Sequence, residues 1–260
     1  MHNRWCIIAG ARSGSTWFEN LIHESSNSTD KMILGEYISP YPYTQHFTLD
    51  EHNNIISMFV EEPINFLQEN TDRIQMILNS NIEQSLTIRT FVRPNEHPIF
   101  KRTSDYIDFF QKLAERNFKF VSLYRNIFDR SISGYFMAQT GNIHRWYTDV
   151  DNGYYITNEG VKDWSRVCIP DPIIVDIPSW ESILWSSYQD EIQRKKVTAI
   201  LNCPTVHYET LLEDCDVANI DVSPSSIIKT YDISYKDYIL NYDELVDKYN
   251  YYKDMVGYED

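Results

Sequence analysis

Apolar positions along the chain follow two rhythms. Arg4-Trp5-Cys6-Ile7-Ile8-Ala9 is a short, nearly continuous apolar run that ends in a turn rich in small residues and leads into a helix. Runs of this kind mark strands buried on both faces, as in a parallel sheet. Ser85 to Val92 and Phe118 to Tyr124 read the same way. From Asn126 the rhythm turns helical, with Asn126 placed as a cap and Phe128, Ile132 and Phe136 four residues apart on one face. Pro63 to Asn79 carries the stripe Ile64, Leu67, Ile74, Ile77 and Leu78, and Asp105 to Arg116 carries Ile107, Phe110, Leu113 and Ala114, so both are predicted helices. Trp180, Leu184, Tyr188 and Ile192 mark another, followed by predicted strands at Val197 to Leu201 and Thr205 to His207, with Pro204 between them. Strands alternating with helices predict an α/β fold, and the closing Tyr238 to Leu245 segment is expected to lead a last helix that packs on the sheet.

One stretch breaks the rhythm. Residues 141–178 are irregular and aromatic-rich, with Trp146, Tyr147, Tyr154, Tyr155 and Trp164 among Gly, Asn and Asp. That is too long for an ordinary connection and reads as a lid, a subdomain or an aromatic-stabilised surface excursion. No repeat or composition break marks a linker, so residues 1–260 are expected to form a single domain with this insertion.

Composition narrows the class of partner. Of 260 residues 42% are hydrophobic, ample for a core, and the formal net charge of −15 disfavours nucleic acids and polyanionic polymers. A small anion held by a few local arginines fits better. No signal peptide precedes the first strand and no run approaches the length of a membrane span, so a soluble, cytoplasmic protein is expected. Cys6, Cys168, Cys203 and Cys215 lack paired metal or redox spacing and read as reduced structural residues, Cys6 and Cys203 in strand-like runs.

The turn after the first strand, Gly10-Ala11-Arg12-Ser13-Gly14-Ser15-Thr16-Trp17, carries the chemistry. Its small residues let the backbone approach an anion, the first-turn amides of the next helix point at it, and Arg12 adds positive charge. The alternative is a plain helix start in which Ser13 or Ser15 serves only as the N-cap. It is not a nucleotide-triphosphatase loop, being one residue short between Gly10 and Gly14 and lacking the lysine. Further on, Arg125 sits at a strand's carboxyl end, where open α/β sheets bind ligands, and Ser133 follows on the next helix eight residues later. An arginine fork and a serine hydroxyl suit a phosphate.

These two motifs resemble those of sulfotransferases that use 3′-phosphoadenosine 5′-phosphosulfate (PAPS). The loop from Arg12 to Trp17 is similar to that family's 5′-phosphosulfate loop, and Arg125 with Ser133 matches its 3′-phosphate pair in type and spacing. The resemblance implies a three-layer α/β fold with a central parallel sheet, related to the P-loop nucleotide-triphosphatases. It implies PAPS as sulfuryl donor, PAP as product, and no metal. Trp17 and Tyr208, the latter in His207-Tyr208-Glu209-Thr210-Leu211, match positions near the adenine, and Lys229 matches a basic residue near the phosphate, although the family's glycine-containing loop is absent there.

Sulfuryl transfer also needs a base. Glu36, in Ile33-Leu34-Gly35-Glu36-Tyr37, matches a glutamate that several branches carry after glycine. The cytosolic branch's Lys-Thr-His reads here Arg89-Thr90-Phe91, which keeps the charge and loses the histidine; His97 and His23 are the remaining histidine candidates, and Lys101 and Arg102 are candidates to line the pocket. The implied reaction is in-line displacement at sulfur with Glu36 as base. The implied acceptor is a glycan or a small alcohol or phenol. A nucleotide or small-molecule kinase and a non-catalytic PAPS- or PAP-binding protein are the alternatives.

Overall fold

A computed structural model of the protein describes residues 4–25, 31–38, 71–72, 74–82, 85–93, 99–140, 155–156, 162–163, 172–222 and 235–256. In chain order the elements are β1 (Arg4–Ala9), α1 (Ser15–Ser25), β2 (Lys31–Ile38), β3 (Ser85–Phe91), α2 (Thr103–Glu115), β4 (Lys119–Tyr124), α3 (Ile127–Thr140), β5 (Tyr155–Ile156), β6 (Lys162–Asp163), α4 (Ile177–Leu201), β7 (Thr205–His207), α5 (Leu211–Val217) and α6 (Tyr242–Val256). Residues 74–79 are helical as well. By contacts the chain forms two compact units, Met1–Arg125 with Gln189–Ser226, and Asn126–Tyr188 with Ile227–Asp260.

The first unit is built on a five-stranded sheet of order β2-β3-β1-β4-β7 in which every neighbouring pair is parallel. The alternation along β1 explains its two helical layers. Trp5, Ile7 and Ala9 pack with Phe18, Leu21 and Ile22 of α1 and with Leu211 and Cys215 of α5. Cys6 and Ile8 face the other way, joining Leu86 and Ile88 of β3, Tyr106, Phe109, Phe110 and Leu113 of α2, and Val197 of α4. The expected α/β fold with a central parallel sheet between helical layers is what forms.

Topology locates the ligand-binding edge. From β1 the chain leaves toward β2 on one side, and from the adjacent β4 it leaves toward β7 on the other. Strands whose connections diverge open a crevice at their carboxyl ends. Here those ends are Gly10 onward and Arg125.

The second unit has an aromatic core, in which Phe128, Ile132 and Phe136 of α3 meet Trp180, Leu184 and Tyr188 of α4 and Leu245 and Tyr249 of α6. Asn126 caps α3 as expected, its Oδ1 accepting from the Phe128 amide at 2.9 Å. The Trp180 indole nitrogen donates to Ser131 Oγ at 2.8 Å, which satisfies a buried polar group inside the cluster.

Several sequence expectations are corrected. Val197 to Leu201 is the last part of the 25-residue helix α4, not a strand. A short β-branched run reads both ways, and burial of Glu191, Arg194 and Val197 continues the helical spacing set by Trp180. Strict spacing of four overruns the helical period of 3.6, so Ile192 is 39% exposed while Glu191 is buried. Cys203 follows α4 rather than lying in a strand. The last helix buries Leu245 and Tyr249 in the aromatic cluster of the second unit. Most of the 141–178 region lies outside the described residues, β5 and β6 being antiparallel fragments within it.

Candidate functional site

The β1–α1 turn is held by backbone geometry first. The Phe18 amide donates to the Gly14 carbonyl at 3.1 Å, so the helical ladder starts at Gly14 and the amides just before Phe18 lie outside it. Gly14 has φ +84° and Arg12 has φ +64°. Left-handed backbone suits glycine but costs an arginine about 1–2 kcal/mol, a strain typical of functional turns. No acidic residue occurs between Gly10 and Phe18. Ser13 is fully buried, and its hydroxyl meets no hydrogen-bond partner among the described residues, so it is not the side-chain N-cap.

Strand ends bring in the rest. The Tyr208 amide donates to the Tyr124 carbonyl at 2.8 Å, extending the β4–β7 ladder by one residue and setting Tyr208 beside the turn. A Cβ on Gly14 would run into Cδ2 and Cε2 of the Tyr208 ring. That ring meets Trp17 edge to face, with centroids 5.7 Å apart. Arg125 lies over it with Cζ 4.5 Å from the ring centre, while its Nη1 donates to the Arg12 carbonyl at 3.0 Å. The fold therefore gathers Arg12, Gly14, Trp17, Arg125 and Tyr208, residues singled out from three separate stretches of sequence.

One participant escaped the sequence reading. Glu19 of α1 is fully buried and pairs with Arg89 of β3, Nε to Oε2 at 3.4 Å. Arg89 also donates from Nη1 to Thr16 Oγ1 and, at 3.4 Å, to Ser15 Oγ. The available signal was a carboxylate three and four residues after Thr16 and Ser15, on a helix that also turns Phe18, Leu21 and Ile22 inward.

Behind Tyr208, His207 is anchored twice to Asp214 of α5, by its amide and by Nδ1, each 2.7 Å from Oδ2. Burial pushes the Asp214 carboxyl up, but the His207 hydrogen bonds and charge outweigh it and hold the group below its ordinary value. The neighbouring Cys215 thiol is pushed up to about 12, by burial and then by the Asp214 charge.

Ser133 is buried in α3, within the second unit. Glu36 lies on β2, in the irregular stretch between the pairs Gly35↔Ile88 and Ile38↔Thr90, opposite the part of β3 that carries Arg89. Lys101 and Arg102 are exposed at the start of α2, where both amides donate to Asp105 Oδ2 at 2.9 Å. His23 is half-buried in the last turn of α1. Lys229 and His97 lie outside the described residues. Among the described residues no group of three or more His, Cys, Asp or Glu side chains is placed to hold a metal ion, and no helix is long and apolar enough to cross a membrane.

No protein-family model matches the chain, and no curated protein matches it. Among solved structures it is similar to the mouse sulfotransferase SULT7A1 complexed with PAP, at 12% identity and a TM-score of 0.29, over 95% of this chain and 84% of that one.

Proposed function

We propose that the protein is a PAPS-dependent sulfotransferase that sulfates a hydroxyl group on a glycan or on a small alcohol or phenol. The observation that carries this reading is the meeting of Arg125 with the Arg12 turn at the carboxyl edge of adjacent strands, where the sheet's connections diverge. The residues there suit a multiply charged anion. Two guanidinium groups, the first-turn amides of α1 and the Ser13 hydroxyl, which has no hydrogen-bond partner among the described residues, supply donors, and no carboxylate interrupts the turn.

When bound, PAPS supplies an activated sulfuryl group. In this reading Arg12 and the amides of the turn hold the 5′ side and stabilise charge developing on the departing phosphate oxygen. Arg125 and Ser133 hold the 3′-phosphate and reject nucleotides that lack it. Trp17 and Tyr208 supply aromatic surface for the adenine, Lys229 adds charge at the phosphate, and Glu36 takes the proton of the acceptor hydroxyl.

Calorimetric titration with PAP, AMP and ATP with magnesium tests the reading. Tight binding of PAP, weak binding of AMP and loss of PAP binding in Arg125→Ala are expected. Preference for ATP with magnesium would replace the reading with a kinase, and PAP binding without transfer to any acceptor would leave a binding protein.

A further inference from the structure

The Arg89–Glu19 pair is expensive to bury. Arg89 is 4% exposed and Glu19 0%, in a layer otherwise filled by Phe18, Leu21, Ile22 and Phe91. Buried ion pairs add little net stability over apolar packing of the same volume, so the pair calls for a reason beyond folding. The hydrogen bonds supply one. A guanidinium has donors only, so the Thr16 and Ser15 hydroxyl oxygens must accept from Arg89. Each hydroxyl then has its single proton left for a group other than Arg89. Thr16 is exposed at the open side of the turn, while Arg89 beneath it is neutralised by Glu19.

We propose that Arg89 and Glu19 are positioning residues: Glu19 keeps the Arg89 charge inside the fold, and Arg89 turns the Thr16 hydroxyl, with Ser15 behind it, into a donor aimed at the 5′ side of the bound nucleotide. This rests on the proposed function. It differs from a role for Arg89 as a direct ligand of the anion, because the cations facing the nucleotide are then Arg12 and Arg125, and Arg89 acts through Thr16.

A double-mutant cycle separates the two roles. PAP affinity is measured by calorimetry for the wild type, Thr16→Val, Arg89→Met and the double variant, at several salt concentrations, with thermal unfolding as a check on folding. If Arg89→Met, which takes the Arg89 charge away from the buried Glu19 carboxylate, fails to fold, Glu19→Gln/Arg89→Met replaces it, with and without Thr16→Val. Acting through Thr16, Arg89 gives a loss of about tenfold, the size of one hydrogen bond to a charged group. The Thr16→Val loss is similar, the double variant is no worse than either single one, and the salt dependence of binding is unchanged. Additive losses, or a shallower salt dependence on removing Arg89, would mark a direct ligand and overturn the inference while leaving the PAPS reading intact. A wild type that does not bind PAP would overturn both.

Discussion

Arg125 donates from Nη1 to the carbonyl oxygen of Arg12 at 3.0 Å, so the residue just after β4 ties down the turn that follows β1. The contact also covers a carbonyl dipole that would otherwise repel an anion at this edge. The guanidinium also rests over the Tyr208 ring, with Cζ 4.5 Å from its centre. The arginine is thereby preorganised, with part of its ordering entropy already spent in folding.

Replacing Arg125 with Ala should weaken PAP binding by about ten- to a hundredfold, the loss of a charge-assisted contact. Arg125→Lys should recover little, because an ammonium cannot both stack on Tyr208 and reach the Arg12 carbonyl as a planar fork does. Near-normal PAP affinity in the lysine variant would show that charge alone matters here.

Glu36→Gln should lower kcat by about a hundredfold or more while PAP affinity stays within a few-fold, since a base is used in the transfer step and not in holding the nucleotide. Steady-state rates beside calorimetry check this once an acceptor is found. An unchanged kcat would move the role of base to another residue.

Gly14→Ala meets two obstacles, the +84° φ and the Tyr208 ring in the space its Cβ would take. A loss of about 1–3 kcal/mol in urea denaturation is expected. In a Tyr208→Ala background the clash disappears and only the backbone strain remains, so the cost should shrink. An equal cost in both backgrounds would mean that Tyr208 does not pack on Gly14.

The Asp214 carboxyl sits below its ordinary value in the fold because His207 hydrogen-bonds to its ionised form. Its contribution to stability is therefore complete above the unfolded-state value near pH 4 and is lost as pH falls through the lower folded value. Asp214→Asn should destabilise the protein at pH 7 and converge with the wild type in strong acid. Melting curves across pH check this, and a difference that persists unchanged below pH 3 would contradict it.

Thiol chemistry offers an independent check on the core. Burial, with Cys203 nearby, pushes the Cys6 thiol well up, and Cys215 reaches about 12. Neither should be alkylated in the native protein at pH 8, and both should be labelled in denaturant, as mapped by mass spectrometry. Rapid native labelling of Cys6 would mean that β1 is not the buried centre of the sheet.

Local pattern made much of this legible. The apolar run of β1, the small residues after it and the strand that ends at Arg125 are properties of contiguous chain, because strands buried on both faces and tight turns each impose their own residue types. The Asn126 cap and the apolar face of α3 are likewise local. Tertiary structure decided the rest. Whether Val197 to Leu201 continued a helix depended on the core that received Val197, since β-branched residues are compatible with either state. The Arg89–Glu19 pair joins β3 to α1 across more than sixty residues, and no spacing rule reaches that far. The seat of Tyr208 against Gly14 and under Arg125 exists only because parallel strands set three carboxyl ends side by side. Sequence determines which residues can serve an anion; the order of strands in the sheet decides which of them meet.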